Sequence, residues 1–349
     1  MKEYGFGIAG CGMIAGFSAK AISEMEGGRL VATFSRTQAN AKKVAEPYGA
    51  AWFTDYEKFL KQDGLEIVNV TSPSGAHLEY ALPAIEAGKN VIIEKPIEIT
   101  LERIDRILEA AAKKGVMVAG VFPSRFNEAA QTLKQAIDQG RFGDLTVGDM
   151  YQKWYRTQEY YDEGGWKGTK ALDGGGALMN QSIHGVDLIQ WFMGEVDTVV
   201  GFAEVLAHER IEVEDTAVAI LRYKNGAMGV IEGTTSIYPG FQRRIEISGF
   251  HGSVVMEGSA FTTWDFEEER PEDEETKKKF APRPTKLGGV ADPSAISHIG
   301  HQRQFEDFVR ALDTGSQPSV SGAEARKAVE IILAIYKSSE EGRPVKLPL

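Results

Sequence analysis

Apolar runs of strand length alternate with amphipathic stretches through the first third of the chain. Residues 6–9, 30–34, 67–70, 91–93 and 116–121 are the apolar runs. Between them, residues 13–25, 40–48, 76–86 and 101–114 carry helical spacing, and Gly88 and Gly115 follow the last two as helix stops. Strands separated by helices of this length predict a parallel, doubly wound α/β sheet. After residue 122 the rhythm changes. A helix over 128–139 leads into a β-rich run at 146–155, then a Gly-rich segment and a helix over 177–191. Six runs of strand character follow, at 199–207, 216–222, 228–235, 244–248, 253–257 and 261–266, with Asn225-Gly226 and His251-Gly252 at turns. They read as an antiparallel meander in a second, α+β domain with one large open sheet. The expected division is 1–122 and 123–349. The charged segment 267–279 reads as a solvated loop, and a last helix over 323–338 is expected to pack back on the first domain.

Bulk properties narrow the class. The 349 residues exceed one ordinary core and suit two domains. A net charge of −11 argues against general nucleic-acid binding, which needs clustered Lys and Arg, yet leaves room for one local basic pocket. No apolar run reaches the ~20 residues of a membrane helix. With no leader-like opening and a single cysteine, Cys11, a reducing cytoplasm is the expected compartment.

Gly10-Cys11-Gly12-Met13-Ile14-Ala15 fits G-x-G-x-x-A between a strand and a helix. The first glycine permits the tight turn and the second lets the backbone approach a pyrophosphate. The small third residue lets helix and strand pack closely, and the helix N-terminus offers free N–H groups to phosphate. Gly10, Gly12, Met13 and Ile14 are therefore candidate contacts to a dinucleotide, NAD(P). The second strand ends in Ser35-Arg36 rather than the acidic residue that holds a ribose 2′-hydroxyl. A hydroxyl followed by a guanidinium suits a 2′-phosphate and leans toward NADP over NAD. Alternatively Arg36 stacks on adenine or faces solvent while NAD binds. Thr71, Ser72, Pro73 and His77 follow the third run, where a loop would lie along the cofactor; His77 also reads simply as a helix opening.

Glu94-Lys95-Pro96 closes the fourth run at the carboxyl end of a buried strand, where open α/β sheets bind ligands. Lysine there can hold or pass a proton when partly desolvated. Glu94 and Lys95 are thus candidate cofactor contacts, and Lys95 a candidate catalytic group. Arg125 follows the fifth run, again at the ligand end; it can meet cofactor, meet an anionic substrate group or form an interdomain salt bridge.

In the later helix Asn180 and His184 lie four apart and share a face. Histidine suits the base that takes a hydroxyl proton when hydride leaves a secondary alcohol. Asp187, three residues on, can orient the imidazole or bond locally. Tyr155, Arg156, Tyr160, Tyr161 and Trp166 offer flat faces and polar edges for a sugar ring, or fill core and surface loop. His298 and His301, three apart, make a weak metal pair without a cysteine, and no metal site is expected.

These motifs together resemble the glucose–fructose oxidoreductase, inositol dehydrogenase and rhizopine catabolism (Gfo/Idh/MocA) family, over almost the whole chain. The likeness rests on the G-x-G-x-x-A loop, Thr71-Ser72-Pro73 with His77, Glu94-Lys95-Pro96, and the run from Gly174 through Asn180 and His184 to Asp187. The resemblance implies a Rossmann domain followed by an α/β domain whose open sheet often makes oligomer contacts. It also implies NAD(P)-dependent chemistry on sugars and cyclitols, with Lys95 and His184 at the substrate. Many relatives carry Asp where this chain has Asn180; some sugar-nucleotide 3-dehydrogenases of the family also carry Asn. Asn cannot take a proton, so a carboxylate relay through that position is not implied here.

The expectation is an NAD(P)-dependent dehydrogenase or reductase acting on a secondary alcohol or ketone of a small carbohydrate-like molecule, as a homo-oligomer (dimer or tetramer). Two other classes stay open on sequence: a glycosidase-like enzyme that oxidises a sugar transiently and eliminates its substituent, and a non-catalytic nucleotide binder.

Overall fold

A computed structural model describes residues 2–163, 165–282 and 297–349. Two compact units emerge. Unit 1 comprises Met1–Pro123, Ala171–Gly174 and Ser297–Val329; unit 2 comprises Ser124–Lys170, Gly175–Ile296 and Glu330–Leu349.

Unit 1 is built on six parallel strands: β1 (Tyr4–Ala9), β2 (Gly28–Phe34), β3 (Ala51–Phe53), β4 (Ile67–Val70), β5 (Asn90–Ile93) and β6 (Val118–Gly120). Their spatial order is β3-β2-β1-β4-β5-β6. The order reverses between β1 and β4, which is where a doubly wound sheet opens a ligand crevice at its carboxyl ends. The helices are α1 (Met13–Glu24), α2 (Gln38–Ala45), α3 (Tyr56–Leu60), α4 (His77–Glu86) and α5 (Leu101–Lys114). Every residue of β1 is buried, as a strand covered on both faces requires. β3 and α3 are absent from the sequence reading. β3 has three residues and α3 five, too few to show a period.

A helix over Ile299–Thr314 packs on α1. Phe305 meets Phe6 at 5.9 Å between ring centroids, within a cluster that includes Ile8, Ile22, Ile67 and Phe308. His298 bonds Glu24 at 2.6 Å, whereas His301 faces Glu94 at 3.4 Å.

Unit 2 holds an eight-stranded sheet. Its strands are β7 (Leu145–Lys153), β8 (Val196–Glu204), β9 (Thr216–Tyr223), β10 (Met228–Thr234), β11 (Arg244–Gly249), β12 (Gly252–Glu257), β13 (Ala260–Phe266) and β14 (Val345–Lys346), in the order β13-β12-β11-β7-β10-β9-β8-β14. The expected meander is corrected in one respect. β7 lies between β10 and β11, antiparallel to β11 and parallel to β10. The remaining helices are α6 (Glu128–Asp138), α7 (Gln158–Asp162), α8 (Ile183–Met193), α9 (Pro271–Lys279), α10 (the Ile299–Thr314 helix of unit 1) and α11 (Gly322–Glu341).

α9 replaces the loop expected over 267–279. Pro271 opens it, acidic residues fill its first turn and lysines its last, so its charges oppose the helix dipole. Asp273 is buried and accepts from both Arg141 terminal nitrogens at 2.6 and 2.7 Å and from Trp264 Nε1 at 2.7 Å. That guanidinium holds its carboxyl well below the usual carboxylate range. Among the described residues no helix is long and apolar enough to cross a membrane.

Candidate active site

The G-x-G-x-x-A loop joins β1 to α1. Gly10 has φ +106°, and a Cβ there would stand 2.7–2.8 Å from the Thr71–Ser72 backbone. Only glycine fits both conditions. Thr71 Oγ1 donates to the Gly10 carbonyl and Thr71 N to that of Ala9, so two candidate loops are laced together. Gly12 is the N-cap of α1 without a side-chain cap, and a Cβ on it would meet no protein atom within 4 Å. The first turn of α1 contains no acid. Met13 is exposed, Ile14 half-buried and Ala15 fully buried against the sheet. Uncapped N–H groups with open space before them fit a dinucleotide phosphate. Cys11 adds no reactive thiol: it donates to the Phe34 carbonyl at 3.3 Å, and burial pushes its pKa up to about 11.

Ser35 is buried at the end of β2 and accepts from Thr37 N at 3.3 Å. Arg36 beside it is exposed. Ser72 and Pro73 are half-buried after β4, and Ser72 Oγ donates to the Ala76 carbonyl at 3.2 Å. His77 opens α4 and is buried, its ring nitrogens 2.9 Å from the Pro96 carbonyl and 3.0 Å from the Ser72 carbonyl. Burial lowers its pKa against the pull of Glu98. The buried ring spans two carbonyls and joins the Ser72 loop to the Glu94-Lys95-Pro96 loop. Glu94 is buried at the end of β5, where Oε2 accepts from Lys95 N at 3.2 Å. The Lys95 side chain is half-buried, and the Lys95–Pro96 peptide is cis.

In unit 2, Ala177–Ser182 winds as a π-helix before α8 begins at Ile183. π-turns inside helices concentrate at functional sites. From Gly175 to Gln190 every residue is buried except Asn180 and His184, which are both half-buried. The two candidate polar residues are thus the positions through which this stretch reaches its surroundings. Glu214, just before β9, fixes the start of the π-turn. Its carboxylate accepts from Gly176 N at 2.9 Å, Leu178 N at 2.8 Å and Tyr336 Oη at 2.7 Å. Burial raises its pKa to about 7, with those donors opposing.

Arg125 and Asp187 hold each other. Nε and Nη2 of Arg125 donate to the two Asp187 oxygens at 2.8 and 2.7 Å, with the side chains 2% and 0% exposed. Asp187 thus anchors α8 to the segment before α6 through Arg125, a partner that neither sequence reading of Asp187 named. Arg156 is buried, and its Nη2 donates to Gln181 Oε1 at 2.9 Å. Gln181 Nε2 in turn reaches Tyr160 Oη at 2.8 Å and Asn180 Oδ1 at 3.2 Å. Gln181 is thus the hub that ties Arg156 and Tyr160 to Asn180, and the sequence reading missed it. Tyr155 pairs with Ser236 by a β-bridge and sets its ring 5.3 Å from Tyr238. Trp166 is half-buried in a turn, its carbonyl accepting from Thr169 Oγ1 at 2.6 Å. Tyr161 is buried, with its hydroxyl 2.8 Å from Thr235 Oγ1, and belongs to the core.

Comparison with known proteins agrees with this geometry. Residues 4–122 match the model of the GFO/IDH/MocA oxidoreductase family, NAD-binding Rossmann fold, and residues 130–255 match the GFO/IDH/MocA C-terminal domain. The crystal structure of the WlbA dehydrogenase from Bordetella pertussis, in complex with NADH and UDP-GlcNAcA, has a TM-score of 0.88 and 31% identity, covering 100% of both chains. Myo-inositol 2-dehydrogenase of Thermotoga maritima is 26% identical over 350 residues, 98% of each chain. scyllo-Inositol 2-dehydrogenase (NAD(+)) of Bacillus subtilis is 23% identical over 346 residues, 97% of this chain and 95% of that one. The chain belongs to the GFO/IDH/MocA family and is an NAD(P)-dependent oxidoreductase of the sugar and cyclitol dehydrogenase kind.

Proposed function

We propose that this enzyme oxidises, or in reverse forms, a secondary alcohol on the sugar ring of an acidic nucleotide sugar, with Lys95 and His184 handling the proton. The observation that carries the assignment is the paired exposure of Asn180 and His184 in an otherwise buried stretch. The substrate class is supported by the 31%-identical WlbA dehydrogenase, whose complex holds UDP-GlcNAcA, and by Asn at position 180.

Gly10, Gly12, Met13 and Ile14 would hold the pyrophosphate side of NAD(P), and Thr71 with Ser72 the neighbouring stretch. When bound, the nicotinamide supplies the hydride acceptor. His184 takes the hydroxyl proton as the carbon–hydrogen bond breaks, leaving a ketone. Lys95 donates a hydrogen bond to the same oxygen and stabilises its developing negative charge. Asn180, held by Gln181, positions a neighbouring hydroxyl. Arg125 and Asp187 act beneath α8 as positioning residues, and Tyr155, Arg156 and Trp166 flank the ring. Exposed Arg36 beside Ser35 supports acceptance of NADP as well as NAD. The setting we propose is a cytoplasmic homo-oligomer.

The test is reduction of NAD+ and NADP+ followed spectroscopically with UDP-GlcNAcA, UDP-GlcNAc and myo-inositol. Turnover highest on UDP-GlcNAcA is the expected result. Turnover on myo-inositol alone would overturn the substrate class, and release of UDP without net cofactor reduction would favour the transient-oxidation class instead.

A further inference from the structure

A second arginine lies against α8, and neither the proposed mechanism nor any relative's description uses it. Arg243 stands one residue before β11. Ile245 and Ile247 are fully buried on the helix-covered face of the sheet, so period-two alternation turns Arg243 to that face. The β11–β7 register carries it alongside buried Gln152. α8 crosses the side chain at Gly185, where a Cβ would stand 3.1 Å from Arg243 Cδ and 2.8 Å from Met150 Sδ. Glycine at that position leaves the arginine side chain room beneath α8, on the turn that carries His184.

The guanidinium is poorly matched there. Its Nη2 donates to Ser124 Oγ at 3.3 Å, and its Nε is buried with no hydrogen-bond partner among the described residues. The carboxylate that acts on it is Asp187, and both Asp187 oxygens are already taken by Arg125. Asp187 therefore acts on Arg243 only through its field, while it bonds Arg125 directly. Burial lowers the Arg243 pKa to about 10, against the pull of Asp187, and the group stays cationic at neutral pH. The residue as a whole is half-buried, so a partly desolvated cation with one unmet donor stands where a ligand can complete it. The planar fork of arginine matches carboxylate and phosphate oxygens.

We propose that Arg243 is the residue of unit 2 that recognises an oxyanion of the substrate, and so selects acidic sugars over neutral ones. The inference rests on the acidic nucleotide-sugar reading above, and it extends that reading to a specificity-determining side chain. The oxyanion has two sources, the sugar carboxylate and the diphosphate.

Calorimetric binding of UDP-GlcNAcA, UDP-GlcNAc, glucuronate and myo-inositol to the wild type, Arg243→Met and Arg243→Lys decides it, with thermal unfolding alongside. Arg243→Met is expected to weaken UDP-GlcNAcA by about 10- to 100-fold, the loss of a charge-assisted pair. Arg243→Lys recovers part of this, because it restores charge without the fork. Loss on UDP-GlcNAcA and glucuronate, with UDP-GlcNAc spared, assigns the carboxylate; equal loss on both nucleotide sugars assigns the diphosphate. Arg243→Met unfolds no earlier than the wild type, since an apolar chain replaces a poorly matched, partly buried cation. Three results overturn the proposal: undiminished binding of all acidic probes by Arg243→Met, a wild type that binds none of them, or earlier unfolding with myo-inositol binding lost in equal proportion. Redox turnover is read separately on the wild type, so a failed oxidation with Arg243-dependent binding intact sinks the mechanism and not this inference.

Discussion

At the scale of single residues, the cofactor end of unit 1 makes a sharp statement through Arg36. It is exposed at the end of β2, next to a serine whose hydroxyl lies at the same turn. A guanidinium–phosphate pair at such a place contributes about 1–2 kcal/mol after solvent screening. Arg36→Ala is expected to weaken NADP+ by roughly 5- to 30-fold and NAD+ by less than about threefold. Fluorescence titration with the two reduced cofactors checks this; equal losses for both would leave Arg36 with no part in the 2′-phosphate. The sequence made this residue legible because strand order and loop position are local. It did not reveal Gln181 or Glu214. Both act through hydrogen bonds to residues distant in the chain, and a Gln or Glu carries no mark of such partners. Arg243 did leave a signal: an arginine in phase with the inward Ile245 and Ile247.

At the scale of elements, the π-turn and α8 depend on an acid in another element. Glu214 presents a carboxylate to two backbone donors and one phenol, in a setting that raises its pKa to about 7. With an unfolded value near 4.5, the folded state binds the proton more tightly. The protonated group's favourable contribution is therefore complete below about pH 4.5 and lost as pH rises through 7, on the order of 3 kcal/mol. Glu214→Gln cannot ionise and removes this slope. The stability difference between wild type and variant, from urea unfolding, should thus shift against the wild type between pH 4.5 and pH 8. A difference independent of pH would show that Glu214 does not titrate there. The amide also sets a donor against one of the donors it replaces, costing about 1–3 kcal/mol at any pH.

Element type was legible wherever a period extended far enough. α5 matches its expected span, Leu101–Lys114, since it has an apolar stripe, a Thr100 cap and Gly115 at its end. α9 was not legible, because its stabilising features are charges and one buried aspartate rather than an apolar face. The parallel pairing of β7 with β10 joins residues about 80 positions apart, and nothing local in either strand encodes it.

At the scale of the whole molecule, the sheet of unit 2 exposes an apolar face. Val200 pairs with Ile220 and Phe202 with Val218 across β8 and β9, and Phe202 and Ile220 are 70% and 60% exposed. Alternation places polar residues on a solvent face. Apolar neighbours at these positions suit the homo-oligomer proposed above, in which a second copy of the chain would cover them. Phe202→Glu with Ile220→Glu is expected to convert the assembly to monomer in sedimentation velocity, with the far-ultraviolet circular dichroism unchanged. An unaltered sedimentation coefficient would place the contact elsewhere.

The central claim is that Lys95 and His184 carry the proton chemistry of one hydride transfer. Steady-state kinetics of His184→Gln and Lys95→Met on UDP-GlcNAcA, with cofactor affinity measured in parallel, tests it most directly. The account predicts kcat lower by about 100- to 10,000-fold in each variant. NAD+ binding by His184→Gln should stay within about threefold of the wild type, because a lost proton acceptor acts on turnover rather than on ground-state binding. Wild-type kcat in either variant would contradict it.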